Sequence, residues 1–414
     1  MNILYIDHYA GSLKHGMEFR PYYLSREWVA DGHKVRIVGG DYSHLRKENP
    51  TVSKSFETEE LDGIEYQWIK TGSYEGNGVK RALTMFRFVA KLWLKAGKLA
   101  REFKPDAVIS SSTYPLDCYA ARRIAKKAKC KYVHEGHDIW PLTLTEVGGM
   151  GEHNPFVIAM GIAEKHAYKT SDRVVSVLPF SYLHMLDKGL RSKDVFSYIP
   201  NGIVLDDWST PEKPGAEVTE KFESLHSEGK FVVCYIGGHA ISNSLDVLIE
   251  AAEKMKDNGD VAFVLIGKGT EKERLKTMAE DMSLTNVHFL PPVNKLAVPT
   301  VLEMADALYI GAKRCTLYRY GVSMNKVYDY MMSAKPIVYG VEAANNEVAE
   351  AGAGITIEPD SAEAIAGAVL ALKDMTPEER AKMGQNGKTW VIENCDYRVL
   401  AKRFIDVIEG IEKK

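Results

Sequence analysis

The chain has 414 residues, 45% of them hydrophobic and 26% charged, a composition that fits a folded globular protein of two or three domains. Its net charge of −3 argues against a general nucleic-acid binder, which is normally basic. Five cysteines, Cys118, Cys130, Cys234, Cys315 and Cys395, follow no metal-binding spacing and read as reduced thiols of a cytoplasmic protein.

The opening MNILYIDHYAG enters a strand pattern at once, so no signal peptide is expected. No later run reaches the ~18 apolar residues needed to span a bilayer. NILYI predicts a buried strand, followed by a loop holding Gly11 and Gly16 and a helix over 17–30. KVRIV, EYQWIK, DAVIS, KYVHEG, RVVSV and FSYIP continue as strands, with helices near 79–103, 117–129 and 156–170 between them. Continuous apolar strands alternating with helices imply a parallel sheet covered on both faces. The Pro-, Gly- and Asp-rich stretch IPNGIVLDDWSTPEKPGAE breaks this pattern and marks a domain boundary. Alternation restarts with FVVCYIG, VAFVLIG, NVHFL, ALYIG, PIVYG and GITIEP, and helices are expected at 244–257, 271–282, 324–333 and 361–373. A last amphipathic helix near 396–412 is placed back on the first domain. The expected architecture is α/β: two doubly wound, Rossmann-like domains over 1–205 and 206–394, with residues 395–414 returning to the first. In such folds a ligand lies at the carboxyl ends of the strands, here in the cleft between the domains.

Chemistry concentrates at strand ends. The segment GVSMNKVYDYMM starts a helix with Ser323 as its expected N-cap. Free helix-start amides and Lys326 suit an anion, while Asp329, one turn on, suits a pair of hydroxyls. A diphosphate beside Ser323, Asn325 and Lys326 and a ribose beside Asp329 is one reading; a capped surface helix is the other. Glycine turns at Gly237-Gly238-His239 and Gly267-Lys268-Gly269 would let a ligand approach the backbone. Neither has the Walker or dinucleotide pattern. In the first domain VHEGHDIWPLTLTEVGGMG crowds His134, Glu135, His137, Asp138 and Glu146 at a strand end. HExxH is absent and no Asp-x-Asp pair occurs, which speaks against a metal-held diphosphate. His137 and Asp138 are therefore read as polar contacts to the transferred group or acceptor; the alternative is a loop that supports Trp140.

Taken in order, these stretches resemble the GT-B-fold, family 4 retaining glycosyltransferases, and among them the bacterial branch of O-antigen and capsule synthesis. The resemblance rests on GMEFRPYYLSREWVADGHKV, HDIWPLTLTEVGG, YIPNGI, GKGTEKERLKTMAEDMSLTNVHFLPPV and LYRYGVSMNKVYDYMMSAKPIV. It implies a metal-independent hexosyltransferase with no cofactor beyond its nucleotide-diphosphate sugar. The donor sugar would be an N-acetylated hexosamine or deoxyhexosamine, UDP-linked, moved to a saccharide or lipid-linked acceptor in surface polysaccharide synthesis. Ser323, Asn325 and Lys326 would contact the diphosphate and Asp329 the ribose. Gly16, Gly237, Gly238, His239, Gly267, Lys268, Lys313 and Arg319 would complete the donor site. Arg20, Trp140 and Glu146 are assigned to the acceptor side, and His137, Asp138 and Lys326 to catalysis. The chain departs from the family at three places. Gly321 stands where many members carry a Glu that reads the donor sugar, and Gly238 and Asn243 stand near the positions of the usual Arg and Lys. Lys326 is the first candidate to neutralise the leaving group, with Lys313, Arg314 and Arg319 as helpers.

The helix near 79–103 carries seven basic residues and only Glu102 as an acid, interleaved with Phe86, Phe88, Trp93 and Leu94. It reads either as a packed surface helix or as a contact with an anionic membrane. The expected location is cytoplasmic, peripheral on the inner face of the plasma membrane if that contact exists. A nucleotide-sugar epimerase of the same fold is the main alternative, and a two-lobed binding protein a more distant one.

Overall fold

In a computed structural model, residues 1–76 and 78–410 are described. Among these residues fourteen strands form in chain order. They are β1 (Asn2–Ile6), β2 (Lys34–Gly40), β3 (Glu57–Leu61), β4 (Ile64–Ile69), β5 (Ala107–Ser110), β6 (Lys131–Gly136), β7 (Arg173–Ser176) and β8 (Phe196–Tyr198), then β9 (Phe231–Ile236), β10 (Val261–Ile266), β11 (Val287–Leu290), β12 (Ala307–Gly311), β13 (Ile337–Gly340) and β14 (Gly354–Thr356). The first eight make one sheet in the order β3-β4-β2-β1-β5-β6-β7-β8, and the last six a second in the order β11-β10-β9-β12-β13-β14. Apart from the antiparallel pair β3–β4, all ladders are parallel.

Parallel strands need crossovers, and the helices that supply them cover both faces, so their strands read as near-continuous apolar runs. The second sheet shows this directly. Val232, Cys234, Val264 and Ile266 feed one core, while Val233, Tyr235, Phe263 and Leu265 feed the other. β4 was legible as EYQWIK, but its antiparallel partner β3 escaped the sequence reading because ETEEL is charged and half exposed. The turn between them is Asp62-Gly63, both left-handed with φ of 51° and 75°, a two-residue connection that matches the twist of the paired strands. The helix Pro377–Cys395 was also missed, although Thr376 and Glu379 form a capping box at its start.

The chain divides into two compact units. Unit 1 comprises Met1–Asn201, Arg319–Ser323 and Tyr397–Lys414; unit 2 comprises Gly202–Tyr318 and Met324–Asp396. Residues 319–323, read from sequence as part of the second domain, therefore belong to the first unit. Their contacts there are specific: Phe180 donates its amide to the Tyr320 carbonyl at 3.0 Å, and Asn201 donates its amide to the Ser323 hydroxyl at 2.9 Å. The last helix, Tyr397–Glu409, packs on the helix Arg20–Ala30. Trp28, fully buried, donates Nε1–H to the Ala401 carbonyl at 3.0 Å and meets the Phe404 ring. Residues 411–414, included in the expected returning segment, lie outside the described residues.

Arg20 opens that first helix and is 3% exposed. Its Nε and Nη2 donate to Glu135 Oε1 at 2.9 and 2.8 Å, and its remaining hydrogen bonds go to the carbonyls of Ile199 and Pro200. Glu135 Oε2 accepts from Ser111 at 2.6 Å and from Tyr5. Burial pushes the Glu135 carboxyl up, but Arg20, His137, Ser111 and Tyr5 outweigh it and hold it down at about 2. A depressed carboxylate stabilises the fold above its unfolded pKa of ~4.3, and that contribution is lost as pH falls through about 2. Replacing Arg20 by Met leaves Glu135 buried and short of its cation, so chemical denaturation should show a loss of about 3–5 kcal/mol and an unfolding midpoint in acid shifted upward. A loss below about 1 kcal/mol, the size of an exposed pair, would show that the pair does not anchor the unit.

Candidate functional site

In unit 2 the strand order reverses between β9 and β12. Loops leaving the carboxyl ends of these two strands diverge, and a crevice opens between them. A cavity of about 660 Å3 lies there, within the usual size of a ligand site. Pro292, Val293 and Val298 line it beyond β11, Gly267 and Lys268 beyond β10, Gly237 and Gly238 beyond β9, and Ala312 and Tyr318 beyond β12. Met324, Asn325, Lys326, Asp329 and Tyr330 line it from the helix Asn325–Met332.

Glycine is required at the two turns because they interlock. A Cβ on Gly267 would sit 1.9 Å from the Gly237 carbonyl oxygen, and one on Gly269 would sit 2.2 Å from that of His239. Lys272 reinforces the contact: its ammonium donates to the carbonyls of Gly267 and Leu290 at 2.8 and 2.7 Å. Around Gly238 nothing lies within 4 Å of a would-be Cβ, so that turn faces open space.

The helix is held by Tyr330, whose hydroxyl accepts from the Ile236 amide at 2.7 Å and donates to the Ile236 carbonyl at 3.1 Å. Ser323 is not its N-cap. Met324 occupies that position, extended and without a side-chain cap, because Ser323 is turned to Asn201 in unit 1. The helix therefore opens with uncapped amides at Asn325 and Lys326.

Lys326 is half-buried. Its ammonium donates to Tyr235 Oη at 3.1 Å and to Asn243 Oδ1, and lies 4.9 Å from the Tyr235 ring centre. Tyr235 Oη and Asn243 Nδ2 both donate to the Gly238 carbonyl at 2.8 Å. Each partner is neutral, and among the described residues no carboxylate pairs with Lys326. Loss of solvent, with no compensating anion, lowers its pKa to about 8. One turn on, burial raises the Asp329 carboxyl to about 6, with Lys295 opposing and Asp207 assisting the shift. The cavity thus offers an uncompensated cation and uncapped amides toward one side, an isolated carboxylate behind them, and an apolar end at β11.

Other expected site residues fall elsewhere. His239 carries its backbone into the interlocked turns, but its ring is fully buried beside Tyr235 and Phe289 and does not line the cavity. Lys313 is paired with Asp246 and Asp360 at 3.2 and 3.3 Å, and Arg314 with Glu342 and Glu358. Arg319 and Glu146, expected on opposite substrates, bind each other in unit 1 at 3.0 and 2.8 Å. Arg20 is consumed by Glu135, and Gly16 donates its amide to the Ser12 carbonyl at 2.8 Å. Also in unit 1, His137 Nε2 lies 2.7 Å from Ser111 Oγ, Asp138 is exposed, and Trp140 is half-buried with its ring edge-on to Phe156. Tyr235 and Lys272 gave no motif to find, and Asn243 stood out only as a departure from the family pattern. Only the end of β9 at a glycine turn, which fixes where Tyr235 points, hinted at one of them.

Residues 15–207 match the profile of Glycosyltransferase Family 4, and residues 217–390 that of Glycosyl transferases group 1. The chain belongs to glycosyltransferase family 4. Escherichia coli K12 WcaI, described as a putative colanic acid biosynthesis glycosyl transferase, is 22% identical over 354 residues, 82% of this chain and 84% of WcaI. The structure of Anabaena HepE in complex with UDP and glucose superposes with a TM-score of 0.68 at 15% identity, covering 99% of this chain and 100% of HepE. WaaG, a glycosyltransferase involved in lipopolysaccharide biosynthesis, gives 0.64 at 15% identity over 99% and 100%. These likenesses establish the GT-B fold, two Rossmann-like domains with parallel sheets, and with the family matches they make this enzyme a glycosyltransferase.

The state of Lys326 is open to direct measurement. Lysines 13C-methylated and titrated by NMR should include one with a midpoint near pH 8 whose signal is missing from Lys326→Arg. A Lys326 midpoint near the ordinary ~10.4 would mean that the ammonium is solvated and the cavity does not hold it.

Proposed function

We propose that this enzyme transfers a sugar from a nucleoside diphosphate to a saccharide or lipid-linked acceptor in bacterial surface polysaccharide synthesis. The observation that carries the reading is Lys326: a half-buried ammonium whose only described partners are neutral, beside uncapped helix amides in a cavity of ligand size. A buried cation without a counter-ion is costly, and an entering diphosphate would supply one. Asp329, isolated one turn away, accepts the ribose hydroxyls in this reading. The apolar end formed by Pro292, Val293 and Val298 takes the base.

Transfer breaks the bond between the anomeric carbon and the diphosphate oxygen. Negative charge grows on the departing phosphate, where the Lys326 ammonium and the helix amides stabilise it without reorganising solvent. In unit 1, His137 and Asp138 are assigned to the transferred sugar or acceptor, and retention of the anomeric configuration follows the family resemblance. UDP as carrier and an N-acetylated hexosamine or deoxyhexosamine as cargo are the specific donor proposed; HepE, solved with UDP and glucose, supports UDP as the carrier. A thermal-shift comparison of UDP-, GDP- and dTDP-sugars identifies the donor, and UDP release in the presence of acceptor measures transfer. Lys326→Ala should cost ~3 kcal/mol of transition-state stabilisation, roughly a hundredfold in turnover, with an unchanged circular dichroism spectrum. Turnover within about threefold of wild type, some 0.7 kcal/mol, would remove Lys326 from the chemistry. Epimerised donor in the absence of acceptor would favour the epimerase.

A lipid-linked acceptor also gives a purpose to the helix Val79–Phe103. Phe88, Leu92, Leu99 and Phe103 are buried, and yet a second apolar stripe, Val79, Leu83, Phe86 and Leu94, points outward. Val79 is 77% and Leu94 73% exposed. Lys80, Arg87, Lys95 and Lys98 are exposed on the same helix. An apolar stripe flanked by cations and nearly free of acids fits an anionic bilayer surface, each cation contributing ~1 kcal/mol. Among the described residues no helix is long and apolar enough to cross a membrane, so the contact would be peripheral. The protein should sediment with phosphatidylglycerol vesicles at low salt but not with phosphatidylcholine, and Phe86→Glu/Leu94→Glu should abolish sedimentation. Indifference of the wild type to anionic lipid would discard this surface.

A further inference from the structure

Resting on the donor reading above, we propose that Lys268 is the second cation of the diphosphate site and binds the phosphate nearer the nucleoside. A nucleoside diphosphate brings more than one negative charge, and Lys326 supplies a single positive charge that burial has already weakened. A second cation has to come from another part of the cavity wall, and the structure narrows the choice. Lys313 is held by two aspartates, Arg314 by two glutamates and Arg319 by Glu146. None of these three lines the cavity. Among the described residues the only cationic side chains that do are Lys326 and Lys268.

Lys268 is exposed at the cavity wall, and its ammonium has no partner among the described residues. Its backbone, by contrast, is fixed. The Lys268 carbonyl accepts from the His239 amide at 2.9 Å, the flanking glycines are locked against Gly237 and His239, and Lys272 clamps the Gly267 carbonyl. A long, mobile ammonium on a rigid base suits a phosphate, which Lys meets as a point charge from any direction. Strand order then sets its place. β10 lies between β11, which leads to the apolar wall, and β9, whose turn faces Lys326. Lys268 therefore stands between the base end and Lys326, where the first phosphate of a bound nucleotide falls.

Calorimetry with uridine, UMP and UDP separates the terms, with guanosine, GMP and GDP used instead if the thermal-shift screen selects a guanosine donor. Lys268→Ala should weaken the monophosphate and the diphosphate alike by about tenfold, the size of one charged hydrogen bond. The nucleoside should be unaffected, and Lys268→Arg should recover most of the loss. Lys326→Ala should instead weaken the diphosphate more than the monophosphate. Unchanged UMP and UDP affinity in Lys268→Ala, or an equal loss for uridine, would overturn the assignment while leaving the donor reading intact. Failure of wild-type protein to bind any nucleoside diphosphate would instead overturn the donor reading, and this inference with it.

Discussion

A half-buried ammonium without a carboxylate to meet it is the constraint around which the cavity of unit 2 is organised. Lys326 can be tolerated there because Tyr235 and Asn243 turn oxygen atoms toward it and pass their own protons to the Gly238 carbonyl. Four groups thus close a hydrogen-bonded circuit that fixes the glycine turn and the lysine together. Such a circuit satisfies polar atoms but does not neutralise charge, and partial burial without an anion lowers the Lys326 pKa. A fold that retains this imbalance is pre-organised for an anion, since the cost of desolvation has been met before the ligand arrives.

Unit 1 treats a buried charge in the opposite way. Glu135 receives Arg20, Ser111 and Tyr5, and its carboxyl is held low by the surplus of donors. Nothing remains for a ligand to satisfy at Arg20, which the sequence had placed on the acceptor side. The contrast is instructive because both residues are basic groups at the start of a helix that follows a strand and a loop. What separates them is whether a carboxylate shares the site. Lys313, Arg314 and Arg319 likewise each meet an acid.

The run from Tyr318 to Lys326 shows how closely binding and architecture are interleaved. Tyr318 lines the cavity of unit 2, residues 319–323 are fastened into unit 1 through Glu146, Phe180 and Asn201, and Met324 returns to the cavity wall. Gly321, at the centre of the excursion, has a left-handed φ of 94°. A side chain there would be strained, which gives a backbone reason for the glycine.

The sequence by itself determined the alternation of apolar strands and helices, hence two parallel sheets, and placed glycine turns and the Lys326–Asp329 helix at strand ends. These are local properties: hydrophobic period, turn residues and spacing along one helix. It placed a strand at EYQWIK but missed that strand's antiparallel partner Glu57–Leu61, because a charged, half-exposed strand has no apolar signature, and it took Ser323 for a cap because Ser before a helix usually is one. Only the tertiary structure decided which cations are spent and which are free, that His239 faces a core, and that residues 319–323 belong to the first unit. Each of those outcomes depends on a partner distant in sequence, Glu146 for Arg319, Asn201 for Ser323, Asp246 and Asp360 for Lys313. Charge neutralisation is a pairwise property of neighbours in space, and one strand of letters does not carry it.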